Sequence, residues 1–197
     1  MIFDSSRKQA IRDILSQRSR RSISRHGFRP AAVLVPLRER DGGCHLVLTK
    51  RSDDLEYHKG QVSFPGGAYE EADHDLAATA VREAFEEIGV LPANIEVLGV
   101  LDDQVTMSSK FVVTPFVAAL NDPVEFTLNH REVQELLEVP VAALLDPACY
   151  SPETEDDDGV IQPWGHYRYM DHRITGATAL ILGQFLDLVF RPGEGAH

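Results

Sequence analysis

Three glutamates, Glu83, Glu86 and Glu87, stand in one short stretch, Arg82-Glu83-Ala84-Phe85-Glu86-Glu87-Ile88-Gly89. If that stretch is helical, at about 100° per residue the three carboxylates share an arc of roughly 100°. Like charges at these spacings repel by a few tenths of a kcal/mol per pair in water, and by more where water is partly excluded. The repulsion asks for a compensating cation. A hard divalent ion, Mg2+ or Mn2+, takes carboxylate oxygens and keeps positions open for water and a substrate phosphate. Arg82 would offset part of the charge and orient a glutamate, but one guanidinium does not balance three carboxylates. Taken alone, an acidic helix face is more often simply solvated. Just upstream, Phe64-Pro65-Gly66-Gly67 lets the backbone turn sharply and approach a ligand without a Cβ in the way. A plain tight turn is the competing reading of that stretch.

These residues need a helix and strands to hold them. From Asp75 to Ile88 there is no Pro or Gly, and Gly89 followed by Pro92 ends the pattern, which predicts a helix over that span. Ala77, Val81, Ala84, Phe85 and Ile88 form its apolar stripe, expected almost opposite the carboxylates. Ala31 to Leu37 and Cys44 to Lys50 read as strands joined by Asp41-Gly42-Gly43, a hairpin signal. Gln61 to Phe64, Ile95 to Leu101, Phe111 to Leu120 and a short Val124 to Leu128 read as further strands. Glu132 to Leu145 is strand or helix, interrupted by Pro140; the acidic tract Glu153 to Asp158 reads as a loop. A strand around Tyr167 to Ile174 then precedes a helix from Ala177 to about Phe190. This mixed order predicts an α/β (α+β) fold with a sheet sandwiched by helices.

The composition limits the alternatives. The chain has 197 residues, 43% of them apolar and 25% charged, which fits one folded domain over 1–197. No apolar run approaches the roughly 18 residues needed to cross a bilayer, so no membrane partner is expected. Met1 to Arg12 lacks the apolar core of a secretory signal, and Cys44 and Cys149 lack CxxC spacing, so free thiols in the cytoplasm are the expectation. The net charge of −12 argues against nonspecific nucleic-acid binding. Its distribution is uneven. Residues 1–30 hold eight basic side chains against Asp4 and Asp13, a local +6 that leaves −18 for the remainder. The lead segment, 1–28, is expected to be helical with Ile11, Ile14 and Leu15 on one side; an anionic ligand attracted to it is the functional alternative.

The helix and glycine turn together resemble the Nudix box, G-x5-E-x7-R-E-U-x-E-E-x-G-U, where U is a bulky aliphatic residue. Gly67 takes the first position, Asp73 stands where the pattern has Glu, eight residues instead of seven precede Arg82, and Ala84 occupies a U position. A longer stretch is similar to the signature of the coenzyme A pyrophosphatase subfamily: Leu48 to Ser52, Leu55, His58, Gly60 to Gly67, Asp73, and Thr79 to Glu83. That subfamily tolerates the Asp and the extra spacer residue. Looser similarity reaches Val113-Thr114-Pro115, Glu132-Val133, Val139-Pro140 and Ile174 to Ala179.

The resemblance implies an α/β/α sandwich and hydrolysis of a diphosphate joined to another group. The small-molecule partner would be coenzyme A or acyl-CoA, cleaved to 3′,5′-ADP and 4′-phosphopantetheine or its acylated form; ADP-ribose or another nucleoside diphosphate derivative is the alternative. A noncatalytic nucleotide-binding module would be expected to lack the glutamates. In this reading Glu83 and Glu87 are the principal ligands of Mg2+ or Mn2+, and Glu86 is a further ligand or the base acting on water. The Gly67 carbonyl is a backbone ligand, Arg82 holds a glutamate, and Glu132 is a second candidate base. Arg51, His58, Lys59 and Gln61 would meet the phosphates, although Arg51 has the alternative of pairing with Asp53 or Asp54. Phe64 is expected in the core, with base stacking as the alternative, and Trp164, Tyr167 and Tyr169 in strand packing, with lining of an adenine or pantetheine pocket as the alternative. A homodimer is left open.

Overall fold

The computed structural model describes residues 2–53, 59–157 and 160–191, with the backbone alone over 153–157 and 160–164. In chain order the elements are α1 (Ser5–Ser16), β1 (Arg29–Arg40), β2 (Gly43–Arg51), β3 (Val62–Ser63), β4 (Gly66–Ala68), α2 (Leu76–Ile88), β5 (Ile95–Val100), β6 (Gln104–Thr106), β7 (Phe111–Leu120), β8 (Val133–Pro140), α3 (Val141–Leu144), β9 (Tyr150–Asp157), β10 (Val160–Tyr169), β11 (His172–Ile174) and α4 (Gly176–Phe190).

Strand β1 organises the main sheet because alternate side chains bury on opposite faces. Ala31, Val35 and Leu37 join Ile11 and Leu15 of α1 and Leu182 and Phe185 of α4 on one face. Ala32 and Leu34 meet Ala80 and Ala84 of α2 on the other. The alanines at this second contact let α2 lie close to the strands, and Ile88 continues the contact with Val47, Val90 and Leu120. Helices therefore cover both faces of a mixed sheet, ordered β3-β2-β1-β7-β5, with β4 on β1, β6 on β7 and β8 on β2. The β1–β7 pair is parallel and the others are antiparallel.

The feature that makes room for a site is a splay. β1 and β2 pair only from Leu37–Leu46 to the hairpin end. Beyond it, β4 takes over the edge of β1 at Ala31–Val33, and β3 takes over the edge of β2 at Thr49–Lys50. The Phe64–Gly67 turn thus sits between two diverging strands, under α2.

Four sequence expectations change. Val124 to Leu128 is not a strand: Val124, Phe126 and Leu128 pack around Ile88 instead, and Thr127 N–H donates to the Ile88 carbonyl at 3.0 Å, so their alternation serves the end of α2. The acidic tract expected as a loop is β9 through Asp157, because it pairs along its length with β10; partner strands override weak intrinsic preference. The strand expected around 167–174 is a hairpin, β10 and β11, turning at Met170 with φ 51°. The lead segment is helical over Ser5–Ser16 only. Residues 17–28 run without helix, fastened across the chain: Asp102 pairs with Arg18 and accepts from Arg21 N–H at 2.9 Å, and Asp103 takes Arg20 Nη2 at 2.7 Å and Ile23 N–H at 2.8 Å. The ambiguous 132–145 stretch resolves as β8 followed by α3 at Pro140. Cys44, Cys149, Phe64 and Tyr167 are buried, and the Trp164 side chain lies outside the described residues. No described helix is long and apolar enough to cross a membrane.

Candidate active site

Helix α2 starts and stops where local chemistry dictates. Asp75 is the N-cap, its Oδ1 accepting from Ala78 N–H at 2.8 Å, and Gly89 closes the helix in the left-handed region at φ 74°. A Cβ at Gly89 would also lie 2.8 Å from Thr127 Cβ, so the loop can cross here only over glycine.

The buried face of α2 differs from the expected one. Phe85 is 47% exposed, whereas Glu87 is 3% exposed and lies among Thr79, Ala80, Ala84 and Ile88 on the inward side. The carboxylate arc overlaps the buried face, because the splay brings polar backbone and Arg51 beneath this part of the helix. Burial pushes the Glu87 carboxyl up to about 8, and the charges of Glu83 and Glu132 push the same way; Arg51 and the Gly66 N–H oppose them. Its Oε2 is buried with no hydrogen-bond partner. Burial also raises Glu83, against the pull of Arg82.

Arg82 is the hub of the exposed side. Its Nη1 donates to Glu83 Oε1 at 2.9 Å and Glu86 Oε2 at 3.0 Å, and its Nη2 donates to the Ala68 carbonyl at 3.0 Å. Its Nε and Nη2 form a fork on Asp73 at 3.0 and 3.1 Å. Asp73, whose part the sequence left open, is therefore the anchor of this hub. Buried, it also accepts from Thr79 Oγ1 at 2.8 Å and Glu70 N–H at 3.0 Å, and the Arg82 fork holds its carboxyl well below the usual range.

Gly67 lies against Glu83: a Cβ built there would collide with the Glu83 carboxylate. Arg51 lies at the end of β2, its N–H bonded to the Gln61 carbonyl at 2.9 Å and its Nε buried without an acceptor. Among the described residues it forms no ion pair, with Asp53 or otherwise; its charge is felt by Glu87. Lys59 and Gln61 are exposed on the turn before β3. His58, with Leu55 and Asp54, lies outside the described residues. Glu132 is brought near the helix by the 127–132 segment, where Asn129 N–H donates to the Glu87 carbonyl at 2.9 Å and Asn129 Nδ2 to Glu132 Oε1 at 2.9 Å. Among the described residues, no three acidic, imidazole or thiol side chains converge tightly enough to surround an ion.

A family model described as the NUDIX domain matches residues 27–159. The chain belongs to the Nudix family. Among its Nudix relatives, an uncharacterized Nudix hydrolase, NudL of Pectobacterium atrosepticum, is 39% identical over 176 residues, covering 85% of this chain and 86% of that protein. Its namesake from Cronobacter sakazakii is 42% identical over 139 residues, 69% of this chain and 68% of that protein. In fold, this Nudix chain resembles a MutT/nudix family protein from Enterococcus faecalis, with TM-score 0.54 at 12% identity, over 96% of this chain and 76% of that one. It also resembles the NUDIX domain of Shewanella oneidensis NrtR, crystallised with ADP ribose, with TM-score 0.50 at 20% identity over 61% and 78%.

Proposed function

We propose that this Nudix hydrolase cleaves the diphosphate of coenzyme A or acyl-CoA, releasing 3′,5′-ADP and 4′-phosphopantetheine or its acylated form. The observation that carries the metal-dependent part is the orphaned Glu87 Oε2, buried within reach of the Glu83 and Glu132 charges. A buried carboxylate oxygen with no donor costs free energy unless a proton or a cation meets it. The donor set is all oxygen, which suits Mg2+ or Mn2+. Glu83 and Glu87 would hold the ion, with Glu86 and the Gly67 carbonyl as further ligands. When bound, such an ion offsets the negative charge of the diphosphate and lowers the barrier to attack by water.

The chain's own groups do the rest. Asp73 fixes Arg82, and Arg82 fixes Glu83 and Glu86 on the solvent side of α2. Arg51 supplies positive charge beneath the helix. Glu132, or Glu86 where it is not a ligand, is the carboxylate that accepts a proton as the oxygen of water bonds to phosphorus and the P–O–P bridge breaks. Support for coenzyme A as substrate comes from the signature-like stretches Leu48–Ser52 and Gly60–Gly67, which lie side by side through the β2–β3 pair and the Arg51–Gln61 hydrogen bond.

The test is a substrate panel: purified protein with Mg2+ or Mn2+, offered coenzyme A, acyl-CoA, ADP-ribose and a dinucleoside diphosphate, with products separated and identified. Release of 3′,5′-ADP from coenzyme A is expected. Rapid turnover of ADP-ribose with coenzyme A untouched would reject this reading in favour of a different nucleoside diphosphate derivative.

A further inference from the structure

Among the described residues, the ion pairs of the basic lead segment go to Glu96, Asp102 and Asp103 and not to Glu83, Glu86 or Glu87, yet the segment forms a wall of two adjoining cavities of about 510 and 400 Å3. Both are lined by Arg20, Pro30 and Leu76. The first continues over Tyr69 and Phe116, the second over Phe28 and Arg25. They lie off the start of α2. Seven residues separate Leu76 from Glu83, which at about 1.5 Å per residue is roughly 10 Å along the helix, comparable to the length of a nucleoside monophosphate. Tyr69 links the two places: its N–H donates to the Pro30 carbonyl at 3.0 Å and its hydroxyl to the Asp73 carbonyl at 3.1 Å.

The rim carries uncompensated positive charge. Arg21, Arg25, Arg29 and Lys110 are exposed, and among the described residues their side chains form no ion pair. The Arg25 guanidinium lies 4.5 Å from the Phe28 ring centroid, and that of Arg29 lies 5.3 Å from Phe111, so the aromatic rings hold the cations in place without neutralising them. The acids on the walls are committed. Asp103 is taken by Arg20 and Thr114, and Asp75 caps α2. An apolar slot beside unpaired guanidinium groups, in a chain of net charge −12, fits a flat aromatic group that bears a phosphomonoester.

Building on the coenzyme A reading, we infer that this groove receives the adenosine end of the substrate, with Arg25 reading the 3′-phosphate. The base enters the slot between Leu76, Phe116 and Pro30, and the phosphate faces the arginine rim. Arg25 is then a specificity residue remote from the bond that breaks.

The experiment compares kcat/KM for coenzyme A and 3′-dephospho-coenzyme A in the wild type, Arg25→Ala and Arg25→Lys. The wild type is expected to favour coenzyme A by roughly 10- to 100-fold, the scale of one charge-assisted hydrogen bond. Arg25→Ala is expected to bring that ratio close to one, and Arg25→Lys to restore part of it. Urea denaturation of each variant checks that the fold is kept. A wild-type ratio near one, or a ratio unchanged in Arg25→Ala, overturns the inference while leaving coenzyme A hydrolysis standing. A wild type that leaves both compounds uncut removes the reading on which the inference rests, and the inference with it.

Discussion

Glu87→Gln is expected to lower turnover by roughly 10²- to 10³-fold, the scale for deleting one group that stabilises transition-state charge, while making the chelator-treated protein more resistant to unfolding in alkali. Both effects follow from one buried carboxyl. Its value in the fold is about 8, raised from 4.5 by burial. The folded chain therefore keeps a proton that the unfolded chain releases. That contribution to stability is complete below pH 4.5 and declines as pH rises through 8, by on the order of 1 kcal/mol per unit within the window. Glutamine is neutral throughout and escapes the decline. Glu83 is raised in the same direction, so a shallower slope remains in the variant. Urea denaturation in chelator at pH 5, 7 and 9, alongside turnover with metal present, measures both effects. Stability curves of equal slope for the variant and the wild type, or wild-type turnover, would contradict this role for Glu87.

Asp73→Asn is expected to cost about 2–3 kcal/mol of stability at pH 7, because the Arg82 fork loses its charged acceptor in a buried setting. The sign with pH is opposite to that of Glu87. The Asp73 carboxyl is held below its ordinary 3.8, so its contribution is full above that pH and lost as pH falls through the depressed folded-state range. The gap between wild type and variant should therefore be widest near neutrality and close in acid. Turnover should also fall, since Arg82 no longer sets Glu83 and Glu86; kcat is the parameter expected to move. Thr79→Val, which removes one hydroxyl donor to Asp73 at 2.8 Å, serves as a milder comparison. A variant as stable as wild type at pH 7 would show that Asp73 does not anchor the hub.

The parts of the site that depend on local chemistry were legible in the residue order. Asp75 and Gly89 bound α2 as their cap preferences dictate, and the first hairpin forms at Asp41-Gly42. What depends on distant partners was not. A helical wheel places Phe85 inside and Glu87 outside when apolarity alone decides; the splay of β1 from β2 reverses both by putting Arg51 and the glycine turn under the carboxylate side. The fork from Arg82 to Asp73 spans a loop whose path no spacing rule specifies. Glu153 to Asp157 is a strand because β10 lies beside it, and Val124 to Leu128 is not one because α2 claims its apolar side chains. The resemblance to the Nudix box reached the family through its glycine, arginine and glutamates, which the fold brings into contact: Gly67 lies against Glu83, and Arg82 donates to Glu83 and Glu86. Asp73 in the glutamate position departs from the pattern, yet it makes the fork.

Titrating the chelator-treated protein with Mn2+ and following the free-ion electron paramagnetic resonance signal tests most directly whether Glu83 and Glu87 hold a divalent cation. The wild type is expected to remove the signal, with affinity rising from pH 6 to 9 as the Glu87 carboxyl gives up its proton. Glu83→Gln and Glu87→Gln are each expected to weaken binding by about tenfold or more. Undiminished Mn2+ binding by the doubly substituted protein would contradict the assignment.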